Sequence, residues 1–87
     1  MKKNIHYNII LKQELEGGFT VIVPSLPGCV TYGKNLKEAK EMAIDAVEGY
    51  LESLKKHKEF IPSDESDFIT NIEIKKFFIN KNQIQYV

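Results

Sequence analysis

Residues 17–38, GGFTVIVPSLPGCVTYGKNLKE, set a glycine pair, a β-branched run, a double-proline turn and a helix start one after another without a gap. Few folds accommodate that order. Gly17 and Gly18 supply the positive φ of a hairpin turn, residues 19–23 form a strand, and Pro24 and Pro27 fix the backbone on either side of Leu26. Gly28 and Cys29 complete the turn, and Gly33 ends the short strand that follows. Asn35, with Glu38 three residues on, is a capping box whose side chains satisfy amides that a helix start leaves unpaired.

The flanking sequence supplies the rest of a sheet and its cover. Ile5, Tyr7, Ile9 and Leu11 alternate as a first strand, Phe19, Val21 and Val23 as a second, and Val30 and Tyr32 mark a third. Short turns between consecutive strands favour an antiparallel meander. From residue 36 to about residue 57 the period becomes helical, with Leu36, Ala39, Ala43, Val47, Tyr50 and Leu54 on one face. Residues 63–67 read as a polar linker, after which Phe68, Thr70, Ile72 and Ile74 alternate as a last strand. Residues 80–82 are placed to turn the chain so that residues 83–87 pair back.

The expected fold is therefore a single α+β domain over residues 1–87, in the order β-β-β-α-β. Because strand–helix–strand crossovers are right-handed, the last strand should lie parallel to and beside the first, giving the sheet order 3-2-1-4.

Charge narrows the function. Twelve basic residues, all lysine, balance twelve acidic ones. A neutral chain without arginine lacks the bidentate fork that commonly reads phosphate and guanine, which argues against nucleic acid as the main ligand. One cysteine cannot form an internal disulfide, and no apolar run exceeds three residues, so the chain reads as cytoplasmic, without a membrane span.

Candidate chemistry is sparse. Cys29 could pair with His57 or His6 as nucleophile and base, but no third orienting group accompanies them, and a cysteine in a Pro-Gly turn is more often packed. His6 has no companion ligand two or four residues away, so neither a metal nor any other cofactor is expected. Two surfaces stand out instead. Glu41, Asp45, Glu48 and Glu52 form an acidic stripe on the helix, either a solvated face or one that attracts a basic partner. Ile10, Ile22, Phe77 and Ile79 fall on the sheet face that one helix cannot cover, which points to a homodimer or higher homo-oligomer.

The pattern GGF-x-V-x-V-P-S-L-P-G-C-V-T-x-G followed by L-x-E-A, extended by Ile61-Pro62, resembles the N-terminal domain of HicB-family antitoxins and their short HicB-like relatives. The similarity spans residues 5–62, with Ser25 where many relatives carry Asp. It implies a partial ribonuclease H-like fold. Residues 5–12 and 19–23 hold no carboxylate, so the two-metal chemistry of ribonuclease H is not expected.

The resemblance further implies an antitoxin that masks a small basic HicA-like mRNA endoribonuclease. Many such antitoxins add a C-terminal DNA-binding segment. Only 25 residues follow Pro62 here and they show no helical period, so operator binding is doubtful. The alternative is a stand-alone HicB-like domain that self-assembles or binds a small ligand without a toxin.

Overall fold

The computed structural model describes residues 4–75, 77 and 80–83. Strands β1 (Ile10–Gln13), β2 (Phe19–Ile22) and β3 (Val30–Gly33) are followed by helix α1 (Leu36–Lys56), and a 3-10 turn occupies Lys81–Gln83. The strands form an antiparallel sheet in the order β1-β2-β3. Ile10 stands opposite Ile22, and Ile22 opposite Val30; Lys12, Thr20 and Tyr32 make a second row.

The meander forms where the glycines predict it. Gly17 and Gly18 adopt φ of +106° and +79°, and Glu14 N–H donates to the Gly18 carbonyl at 3.0 Å to close the hairpin. The Tyr32 hydroxyl donates to the Gly17 carbonyl at 2.9 Å, tying β3 to that turn.

Helix α1 starts at Asn35, whose Oδ1 accepts from Glu38 N–H at 2.8 Å. The return bond runs to Lys34 N–H rather than to the cap residue itself, at 2.9 Å from Glu38 Oε1. Ala39 and Ala43 are the helix's buried residues. Their small side chains let α1 approach so closely that a Cβ at Gly33 would collide with the Ala39 backbone. Leu36 and Leu54 contribute less than their periodicity suggests, lying exposed and half-buried. The helix ends with Lys58 in the left-handed region at φ +56°. Lys58 N–H donates to Lys55 and Glu59 N–H to Leu54, a Schellman-type stop without its usual glycine.

The core lies between sheet and helix in two adjoining parts. Val21, Ala39 and Ala43 pack with Ile9, Leu11 and Phe19. Val23, Leu26 and Cys29 pack with Tyr7, Ile9, Ala46, Val47, Tyr50 and Leu51. The double-proline turn is thus part of the core. Val23 N–H bonds Cys29, Leu26 N–H bonds Val23 and Cys29 N–H bonds Leu26, all within 2.9–3.1 Å, and Gly28 at φ +81° turns the loop back. Leu26 is fully buried as a result.

One expectation fails. The α+β class holds, but the order β-β-β-α-β with a fourth strand beside the first does not, because the described residues form three strands and a helix with no fourth strand. The alternation at residues 68–74 is present in the sequence, yet Phe68, Ile72 and Ile74 are 94%, 81% and 67% exposed. Period-two patterning gives a segment two faces; a strand also needs an edge to pair with, and this segment pairs with none of the three strands. Ile79 and most of the expected return at 83–87 lie outside the described residues.

Candidate functional site

No group of three or more His, Cys, Asp or Glu side chains is placed to hold a metal among the described residues. Cys29 is buried in the double-proline turn, and that burial pushes its thiol pKa up. A buried, protonated thiol is a packed residue and a poor nucleophile. His57 lies at the helix end, where its Nδ1 sits 2.8 Å from the Ser53 carbonyl; His6 is exposed. Two exposed surfaces, a groove and a polar clasp stand beside these residues.

The first surface is the sheet face turned away from α1. Ile10 and Ile22, proposed from parity alone, are cross-strand partners there. Val30 completes the row, and the three are 48%, 36% and 56% exposed. Val30 was detectable from the register once β2 and β3 were aligned through their short connection. Phe77 is exposed on the C-terminal segment, outside the described strands, and Ile79 lies outside the described residues.

The second surface is the acidic stripe. Glu41, Asp45, Glu48 and Glu52 are all exposed on one side of α1, as their spacing of four, three and four residues requires. Glu48 also stands at the rim of an apolar groove with Lys40. That groove, which sequence reasoning missed, runs between Ile5, Tyr7 and Ile9 on one wall and Ala43, Ile44, Val47 and Leu51 on the other. Ile44 bridges groove and stripe and is itself exposed.

A polar clasp sits at the end of the sheet beyond the groove. Carrying the β1–β2 register two residues further places Asn8 opposite Pro24. Glu14 and Gly18 form a hydrogen-bonded pair in this register, so Asn8 N–H also points toward the second strand. Asp64 returns from the far end of α1 to receive it, with Oδ2 accepting from Asn8 N–H at 2.6 Å. Asp64 Oδ1 accepts from the Ser25 hydroxyl, and the Tyr7 hydroxyl donates to the Pro62 carbonyl. The Ser25 bond first, then the Asn8 amide, hold the Asp64 carboxyl below the usual carboxylate range. Burial, and secondarily the Asp64 charge, raise the Tyr7 phenol and keep it a donor.

Comparison with known proteins agrees with the motif. Residues 7–81 match the family described as HicB-like antitoxin of bacterial toxin–antitoxin system. The chain is 47% identical over 64 residues to UPF0150 protein Ta0767 of Thermoplasma acidophilum, covering 74% of this chain and 93% of that one. It is 33% identical to UPF0150 protein ssr1765 of Synechocystis, covering 74% of this chain and 81% of that one. Antitoxin HicB 1 of Photorhabdus laumondii is 42% identical over 45 residues, which are 52% of this chain and 29% of that protein.

Proposed function

The chain belongs to the HicB-like antitoxin family, and from that premise we propose that it is the antitoxin of a type II pair, binding and masking a small basic HicA-like mRNA endoribonuclease. The observation that carries this reading is the acidic stripe on α1, with four exposed carboxylates beside exposed apolar surface. A ribonuclease must present cations to RNA phosphates. The stripe offers those cations an alternative partner, and the apolar row Ile10, Ile22 and Val30 offers area to hold a complex once formed. Inhibition is then steric and electrostatic, and requires no chemistry from the antitoxin. Such a pair works in the cytoplasm.

The test is co-expression with the product of the neighbouring reading frame where that frame encodes a small basic protein, scored by growth rescue and by stopped-flow association of the purified proteins. Replacing Glu41, Asp45, Glu48 and Glu52 by Gln should slow association on the order of tenfold at low salt and flatten its salt dependence, because exposed charges act mainly on the encounter rate. Unchanged kinetics would return the stripe to a solvated face. Absence of binding to that neighbour would favour the stand-alone domain.

A further inference from the structure

We propose that the apolar groove beside α1 seats an amphipathic helix of about three turns, supplied by a basic partner, with the cations of that helix set against Glu48 and the acidic stripe. This deepens the antitoxin reading, on which the identity of the partner rests, by naming the seat and the shape of what enters it.

The fold builds only part of a helix layer. A helix about 10 Å across covers two strands spaced about 4.8 Å apart, and α1 packs chiefly across β3 and β2. The inner face of the first strand is left at its margin. Ile5, Tyr7 and Ile9 project there on alternate residues and make one wall of the groove, while Ala43, Ile44, Val47 and Leu51 make the other. Ile5 and Ile44, the outer lips, are 51% and 59% exposed. At about 440 Å³ the groove takes the side chains of one helical face rather than the backbone that carries them.

Charge decides what shape enters. Lys40 and Glu48 stand on the α1 rim about 12 Å apart along the helix, with Glu41, Asp45 and Glu52 exposed beside them. Among the described residues no ion pair engages any of the five. All of them belong to the helix layer. A strand added to the outer edge of β1 would lie in the plane of the sheet, about 10 Å below that layer, and would leave those carboxylates unanswered. A helix in the groove lies level with α1 at about 8–10 Å, as packed helices do, and brings its flank alongside Glu48.

The same charges exclude a second copy as the occupant. The one α-helix among the described residues is α1 itself, and its exposed face carries the stripe, so two copies would set carboxylate against carboxylate. The occupant therefore comes from another protein. It has apolar residues at i, i+3, i+4 and i+7, and Lys or Arg on the flank next to them. Exposed carboxylates then govern how fast the complex forms, and the groove governs how long it lasts.

Stopped-flow kinetics with the small basic product used in the co-expression test separate these roles. Ile44→Asp puts a charge on the exposed lip and leaves the buried core untouched; it should speed dissociation on the order of tenfold or more, with association changed less than about threefold. Leu15→Asp, on the exposed β1–β2 turn, should change neither rate. Dissociation unmoved by Ile44→Asp, or moved equally by Leu15→Asp, overturns the groove and leaves the antitoxin reading standing. No complex with the unaltered chain overturns both. Should circular dichroism show that Ile44→Asp has lost its helix, isotope-edited NMR of the unaltered complex decides. Nuclear Overhauser contacts from the Ile44, Val47 and Leu51 methyls should run to helical residues of the partner. Contacts to an extended segment, to another copy of this chain, or to no partner residue overturn the proposal.

Discussion

Two segments of this chain begin with Pro-Ser and meet at the same end of the sheet, yet one is core and the other is not. Residues 24–29 turn Leu26 and Cys29 inward. Residues 62–74 follow Pro62-Ser63 with Phe68, Ile72 and Ile74 and leave all three in water. The difference lies in closure, not in hydrophobic content. The first loop is tied by three backbone hydrogen bonds between Val23 and Cys29 and is roofed by Tyr50, whose hydroxyl donates to the Pro27 carbonyl at 2.8 Å. The second has the Asp64–Asp67 turn at its root and no layer above Phe68, Ile72 and Ile74 among the described residues. Apolar side chains are buried when the backbone delivers them to a surface already in place, and otherwise they wait for one.

The contrast is most exposed to failure at Leu26. Leu26→Ala should cost about 2–5 kcal/mol in urea denaturation, because it empties a fully buried site that surrounding structure cannot collapse into. Phe68→Ala should change stability by less than about 0.5 kcal/mol despite removing the larger side chain. Comparable losses at the two positions would end the distinction.

The clasp between the segments is the next test. Asp64→Ala removes acceptors for Asn8 and Ser25 and should cost about 1 kcal/mol, with faster amide exchange at Asn8. Since the folded carboxyl titrates below its unfolded value, its contribution is complete above about pH 4 and is lost as pH falls further through the lowered folded value. Acid titration of the Asn8 amide by NMR should therefore show release only in strongly acid solution. Release at neutral pH would contradict the geometry.

The smallest effect marks where the cooperative body ends. Lys58→Gly relieves a left-handed residue at the helix stop and should stabilise by about 0.5–1 kcal/mol. A gain in the urea midpoint places that stop inside the cooperative unit. No gain would place the boundary earlier in α1.

The body was legible because its signals are local. Gly17-Gly18, the double-proline turn and Asn35 each impose a backbone shape on their immediate neighbours, and three strands and a helix follow. What escaped is what depends on distant residues. Phe68, Thr70, Ile72 and Ile74 alternate as strand residues do, but nothing in that alternation says whether an edge is there to accept them. Asp64 looked like part of a polar linker, because its partners Asn8 and Ser25 lie 56 and 39 residues away. The groove was hidden for the same reason, its walls being Ile5 to Ile9 and the far side of α1. The stripe could be read directly, since helical spacing alone brings its four carboxylates together.

The buried thiol of the double-proline turn offers one further use. Cys29 is the sole sulfhydryl in the chain, and it is screened by the layer whose integrity is in question. Its rate of alkylation, divided by that of an unhindered thiol, reads the fraction of time this half of the core stands open. A chain without tryptophan thus carries its own chemical clock, one that should slow when a partner binds and tightens the body and keep its pace when only residues 68–74 are altered.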